Sequence, residues 1–237
     1  FDRVRHEAPV DRLELETDLR SALRQNQMQA YYQPIVSLDG LQVLGFEALL
    51  RWLHPARGVI APGVFIPLAE KCGTIGALSW WVMHEACRQT REWQLSDVRF
   101  ADLTVSVNVS SRLLSEPHFA ARTAAVLEKT GLAPHALHLE LTEDVLLHHE
   151  REVINELQML HRLGVKLHLD DFGTGYSSLA YLNRFDYDTI KIDRSFLAGG
   201  PQTSRNRRIV DAVISLAAVL GIDVIAEGVE TPEQADN

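Results

Sequence analysis

The chain has 237 residues, 46% of them hydrophobic, a length that α/β barrels commonly occupy as one domain and a composition ample for a single buried core. Its formal net charge of −9 excludes a broad electrostatic grip on polymeric nucleic acid, so an anionic ligand would have to be held by metal ions or by a few placed cations. Cys72 and Cys87 are too few for a disulfide framework and lack zinc-type spacing, which points to a reducing, cytoplasmic compartment; no stretch approaches the ~20 apolar residues of a membrane span, although a parent protein could still be membrane-attached.

Residues 1–12 are polar, contain Pro9 and read as a linker from an upstream domain, with residues 13–237 forming the barrel domain. Leu13, Leu15, Leu19, Ala22 and Leu23 then recur at helical spacing. Two apolar runs, YYQPIVSL and LQVLGFEALL, flank Asp39 and Gly40, a strong hairpin signal, so the first two strands are expected to be antiparallel. A simple two-residue turn would set Tyr32 opposite Glu47, with Gln33 beside it at the same end of the sheet.

From there helix and strand alternate, the pattern of a parallel sheet wrapped in helices. A helix over 77–94 precedes the strand DLTVSVNVS, and Ser115 and Pro117 open a helix that Gly131 closes. ALHLEL, a helix through Val153, Leu157 and Leu160 ending at Gly164, and VKLHLDD follow. A short helix through Leu179 and Leu182 leads to TIKID, a helix over 205–220 and a last strand, DVIAEG. The expected fold is a (β/α)8 TIM-like barrel with an antiparallel first strand, of which seven strands are visible and the last strand and helix are missing; closure would require them.

In such a barrel, polar residues at strand C-termini build the active site. Here nearly every strand ends in one: Glu47, Asn108, Glu140, Asp170 with Asp171, Lys191 and Glu227. Singly, each has a bland reading as a solvated strand end or a turn residue. Jointly, converging carboxylates repel one another unless cations lie between them, and an all-oxygen ligand set selects Mg²⁺ or Mn²⁺ over Zn²⁺. The adjacent aspartates suggest two bridged ions, the arrangement that supports in-line phosphodiester displacement. Lys191 ends an apolar strand, where an ammonium requires carboxylate partners; it could position a water or a phosphate, and its rival reading is a Schiff-base lysine in an aldolase-type barrel. Arg51 can make a forked phosphate contact or a surface ion pair. The loop DDFGTGYSSL could approach a ligand or move but lacks established phosphate-loop spacing. His148, His149, His135 and His138 are assigned to helix and loop positions around the Glu140 strand, and Trp52, Trp80, Trp81 and Trp93 to packing.

The strings Gly45-x-Glu47-Ala48-Leu49-x-Arg51, Asn108-Val109-Ser110, Glu140-Leu141-Thr142-Glu143, Asp170-Asp171-Phe172-Gly173-Thr174-Gly175, Lys191-Ile192-Asp193 and Glu227-Gly228-Val229-Glu230 resemble, in order, the motifs of EAL-domain cyclic di-GMP phosphodiesterases. The resemblance runs from about residue 13 to the end. It implies hydrolysis of cyclic di-GMP to the linear dinucleotide pGpG with Mg²⁺ or Mn²⁺ and inhibition by Ca²⁺. It further implies metal binding by Glu47, Asn108, Glu140, Asp170 and Asp171, water positioning by Lys191, and a metal-site or acid-base contribution from Glu227. Gln33 and Arg51 would contact the nucleotide, and Glu143 would stabilise the DDFGTG loop. Asp193 and Glu230 match further motif positions, and the family's glutamine-glycine substrate motif is absent from these 237 residues. The N-terminal segment is similar to the connector that follows a GGDEF domain, so an upstream GGDEF or sensor domain is expected, as is a homodimer near Tyr176, Leu179 and Tyr181. The alternative is a non-catalytic cyclic di-GMP receptor, but degenerate receptors of this kind usually lose the metal ligands that this chain retains.

Overall fold

The computed structural model describes residues 9–40, 42–142, 151–173, 186–197, 203–231 and 234. The first helix, α1 (Pro9–Ala22), begins before the expected position, so residues 9–12 of the anticipated linker are helical. Its Leu15, Leu19 and Ala22 are buried, while Glu14, Glu16 and Asp18 on the same helix pair with Arg57, Lys71 and His54. Strand β1 (Met28–Val36) pairs antiparallel with β2 (Val43–His54), which turns back into a short β3 (Gly58–Ile60). Neither β3 nor the next helix, α2 (Pro62–Cys72), is legible in the periodicity, and Pro62 starts α2 at the position where a missing N–H does no harm.

The alternation then follows in the expected order, but the helix expected to open at Ser115 and Pro117 starts only at Phe119, because Ser115 closes a short helix before it. Helix α3 (Ile75–Ser96) precedes β4 (Thr104–Asn108). A short α4 (Ser111–Leu114), capped by the Ser110 hydroxyl, intervenes before α5 (Phe119–Thr130), which ends at Gly131 with φ of 71°. Strand β5 (Leu137–Thr142), α6 (Arg151–Leu163), β6 (Lys166–Phe172), β7 (Thr189–Ile192), α7 (Thr203–Leu220) and β8 (Asp223–Ala226) complete the order. The helix expected through Leu179 and Leu182 lies outside the described residues. The sheet path is β1-β2-β4-β5-β6-β7-β8, parallel from β2 onward, with β3 pairing β2 off the path. This is the α/β barrel type with an antiparallel first strand.

The hairpin register departs from expectation in a way that matters for the site. Near the turn, Val36 faces Val43, as a short loop predicts, but the next pair is Ile35 with Gly45. Leu44 is therefore an extra residue on β2, a bulge that advances the register by one. Gln33, not Tyr32, faces Glu47. Because residues directly opposite share a face and successive residues alternate, the bulge sends Gln33 to the face of Glu47 and Tyr32 to the other. There Tyr32 packs edge-on to Trp93 of α3, with ring centroids 4.8 Å apart.

The same alternation separates core from site along β5. Leu137, Leu139 and Leu141 are fully buried against the helix layer, whereas His138 and Glu140 take the opposite face. His138 is thus a strand residue rather than a loop one, and its ring lies 4.4 Å from that of His168 on β6. Burial holds His138 down to about 4 and His168 well below the usual histidine range, so both are neutral packing residues beneath the carboxylates. Trp52 is fully buried beside Phe65 and His54, in agreement with a packing role.

Candidate active site

Lys191 on β7 is 2% exposed and lies among four carboxylates carried by four different strands, with Glu47 inside β2 rather than at its end and Glu227 just past β8. Its Nζ is 2.7 Å from Glu227 Oε1, 2.8 Å from Glu140 Oε2, 3.1 Å from Asp170 Oδ1 and 3.4 Å from Glu47 Oε2. Burial alone would lower the lysine's pKa, but Glu140, Glu47, Asp170 and Glu227 together overcome it and raise the pKa above its ordinary value. The surrounding carboxylates thus favour the charged ammonium, whereas a Schiff-base lysine needs a free amine, so this setting speaks against the aldolase-type reading.

One ammonium cannot neutralise four carboxylates. Burial first, then the neighbouring Glu47 and Asp170, push the Glu140 carboxyl up to about 8 despite the attraction of Lys191. Burial likewise raises Glu227 and Asp171. Glu140 Oε1 is buried with no hydrogen-bond partner, and Glu140 Oε2 and Asp170 Oδ1 meet Lys191 at ion-pair distance but outside hydrogen-bond geometry. Unsatisfied, strongly interacting carboxylate oxygens in one place are groups that a divalent cation would satisfy.

A second feature brings Asp171 into the same cluster. In a regular strand, Asp170 and Asp171 would point to opposite faces. The β6–β7 ladder pairs Leu169 with Ile190 and then Phe172 with Ile192, leaving an extra residue on β6 at the two aspartates. Asp171 has φ of 53°, a left-handed conformation that aspartate tolerates better than most residues. The bulge turns its carboxylate back: single oxygens of Asp170, Asp171 and Glu227 lie within 4.8 Å of one another. Asn108 Nδ2 donates to Glu47 Oε1 at 2.8 Å, which orients that carboxylate and leaves the amide oxygen as a further hard donor. The residues therefore fit a divalent-metal centre, with oxygen ligands throughout and an excess of negative charge for a cation to offset.

Of the residues expected at the site, Glu47, Asn108, Glu140, Asp170, Asp171, Lys191 and Glu227 converge. Gln33 faces Glu47 across the β1–β2 ladder, and Arg51 lies farther along β2 on the same face. The Arg51 guanidinium stands 5.6 Å from the centroid of the exposed Tyr31 ring and donates to the Leu50 carbonyl at 3.0 Å. Tyr31 shares the face of Gln33 and Arg51 and belongs to this rim, although its sequence position carries no signal beyond strand alternation. Glu143 lies outside the described residues. Gly45, at the root of β2, has a packing reason: an added Cβ would fall 2.6 Å from the Thr104 carbonyl oxygen of β4.

Comparison with known proteins gives one family over nearly the whole chain, the EAL domain, matched across residues 16–237. A protein named cyclic di-GMP phosphodiesterase NbdA, from Pseudomonas aeruginosa, is 44% identical over 222 residues, covering 94% of this chain and 28% of NbdA. The bifunctional diguanylate cyclase/cyclic di-GMP phosphodiesterase MucR of the same organism is 40% identical, covering 95% of this chain and 33% of MucR. The chain thus spans about a third or less of these relatives' length. A solved structure described as the PaMucR phosphodiesterase in complex with c-di-GMP superposes with a TM-score of 0.87 at 39% identity, covering 94% of this chain and 90% of that one. The chain belongs to the EAL domain family.

Proposed function

We propose that this chain is a metal-dependent phosphodiesterase that hydrolyses cyclic di-GMP to linear pGpG. The observation that carries the proposal is the buried ammonium of Lys191 held by Glu47, Glu140, Asp170 and Glu227, with Asp171 folded back among them. The names of NbdA and MucR, and the c-di-GMP complex of the structural neighbour, supply the substrate class.

Glu47, Asn108, Glu140, Asp170 and Asp171 would hold Mg²⁺ or Mn²⁺, two ions in our reading. Bound there, the ions would acidify a water and offset the charge that develops on the phosphate. Lys191, at ion-pair distance from Glu47, Glu140, Asp170 and Glu227, is placed to orient a water or a phosphate oxygen as a donor. Glu227 is the most exposed of the four carboxylates around Lys191, with a raised pKa. It is placed to complete the ligand set or to exchange a proton at a carboxylate oxygen. Asn108 holds Glu47 in place, and Gln33 and Arg51 offer an amide and a guanidinium to the nucleotide from the β1–β2 side. Glu143 is assigned to support of the DDFGTG loop, and Tyr176, Leu179 and Tyr181 to a homodimer contact.

Our reading includes a longer parent protein with an upstream GGDEF or sensor domain, in keeping with the two activities in the name of MucR and with the third or less of NbdA and MucR that this chain covers. Among the described residues no helix is long and apolar enough to cross a membrane. Cytoplasmic action, on a parent that could itself be membrane-attached, remains our reading.

The test is incubation of the purified chain with cyclic di-GMP and Mn²⁺, with binding and product followed together. Binding accompanied by linear pGpG supports the enzyme. Tight binding with the cyclic dinucleotide intact after many hours identifies a receptor instead.

A further inference from the structure

Three of the candidate metal ligands come from two strand ends that are not neighbours in the sheet. Asp170 and Asp171 sit at the end of β6 and Glu227 follows β8, with β7 between them. Their spacing therefore depends on whatever spans β7. The turn at 193–197 is what the structure places there. Asp193 caps it, its carboxylate accepting from Ser195 N at 3.0 Å, and Phe196 N and Leu197 N donate back to the carbonyls of Asp193 and Arg194. Asn206 of α7 donates to the Ser195 carbonyl, and Gln234 Nε2 to the Leu197 carbonyl at 3.3 Å.

On each side the turn presses against a glycine just past a ligand. Gly173, two residues after Asp171, has φ of 93°, and an added Cβ would stand 2.9 Å from Phe196 Cζ. Gly228, directly after Glu227, has φ of 69°, and its added Cβ would stand 2.6 Å from Arg194 Cβ. Both backbones thus approach the turn as closely as only glycine permits. Phe196 is half-buried and packs on the hydrophobic core, so its ring is a fixed surface rather than a solvent-facing one. Gly173, in turn, ends the segment whose bulge and left-handed Asp171 bring the second aspartate into the cluster. Unusual backbone conformations of that kind persist only where surrounding packing enforces them.

We infer that the turn at 193–197 is a brace that sets the distance between the β6 aspartates and Glu227, and that Phe196 is its principal positioning residue. Phe196 is not a ligand and touches no reacting atom; it acts through Gly173 on Asp171. The inference rests on the metal-centre reading above. Outer-shell groups hydrogen-bonded to metal ligands typically contribute about 10- to 100-fold in metal affinity, and the brace, which acts one contact further out, is expected at the lower end of that range.

The test compares wild type, Phe196→Ala, Phe196→Leu and Gly173→Ala by Mn²⁺ titration calorimetry and thermal unfolding. The expected result is Mn²⁺ affinity reduced about tenfold in Phe196→Ala and at least as much in Gly173→Ala, which meets Phe196 from the other side and also strains the backbone at a φ of 93°, with Phe196→Leu within about threefold of wild type. If Phe196→Ala does not fold, the Gly173→Ala and Phe196→Leu pair still decides. Variants that melt earlier yet bind Mn²⁺ as wild type does would show Phe196 to be core filling only and overturn the inference. A wild type that binds no Mn²⁺ would overturn the metal centre, and the brace with it, and is told apart by the first titration.

Discussion

Replacing Lys191 with methionine keeps most of the unbranched side chain, one atom shorter, and removes the charged donor at its end, so it reports what the ammonium does for the four carboxylates around it. The two most buried of these, Glu140 and Asp170, have side chains 0% and 11% exposed and cannot turn to solvent. Removing one partner from a buried ionic cluster typically destabilises by about 3–5 kcal/mol, because the remaining charge is left unpaired. For a domain of this size that corresponds to a fall in Tm of roughly 6–20 °C. The assay is thermal unfolding of wild type and Lys191→Met in EDTA and then in Mn²⁺. The large fall should appear in EDTA, and Mn²⁺ should raise the Tm of the variant more than that of wild type, since the added cation takes over the neutralising role. Equal Tm values in EDTA would refute the argument that this cluster is an unbalanced, buried assembly of charge.

Glu47→Ala should leave the fold intact and lower hydrolysis of cyclic di-GMP by at least roughly a hundredfold, because it deletes a ligand and the acceptor of the Asn108 hydrogen bond; a steady-state assay beside a circular dichroism spectrum checks both halves. Substituting Ca²⁺ for Mn²⁺ should abolish turnover while preserving binding, since Ca²⁺ accepts longer, looser coordination at about 2.3–2.6 Å and acidifies water less; equal rates with both ions would contradict the mechanism. Gly45→Ala should destabilise the β2–β4 pairing by about 1–3 kcal/mol in urea, as the new methyl meets the Thr104 backbone oxygen at 2.6 Å. Burial pushes the Cys87 thiol up to about 12, so it stays protonated at pH 9, where an ordinary thiol has largely ionised. A disulfide reagent at pH 8 to 9 should therefore titrate the half-exposed Cys72 alone in the native protein and both cysteines in denaturant.

The legible part of this site lies at the strand ends. Asn108, Glu140, Asp170, Lys191 and Glu227 each interrupt an apolar run near or just past the end of a strand, on the one rim that a parallel sheet wrapped by helices offers, whereas Glu47 lies inside β2, which runs on to His54, at the point where its parallel pairing with β4 ends. Helix ends were legible for a similar local reason, as Gly131 and Gly164 show: both adopt the positive φ that stops a helix. What could not be read are the places where the backbone departs from period two. The extra residue at Leu44 decides that Gln33, and not Tyr32, shares a face with Glu47, and the extra residue at Asp170 and Asp171 decides that both aspartates serve one cluster. No composition marks either bulge, because each is set by how neighbouring strands and their packed helices fit together. His138 escaped for another reason. Its pairing with His168 buries two neutral rings inside the barrel, and a strand position for a histidine gives no hint of whether its face is wet or dry. Helix α2 and the β3 turn-back, without clean periodicity of their own, are held by packing around Phe65 and by the β2 ladder.

The central claim is that the carboxylate cluster around Lys191 works by holding divalent cations against a cyclic dinucleotide. Its most direct test is a titration of metal-stripped protein with Mn²⁺ in the presence of cyclic di-GMP, with linear pGpG quantified at each point by chromatography. The account predicts no product in the stripped protein and turnover that rises in step with bound Mn²⁺ until the site is filled. Undiminished hydrolysis without metal, or full Mn²⁺ occupancy with the cyclic dinucleotide bound and uncut, would contradict it.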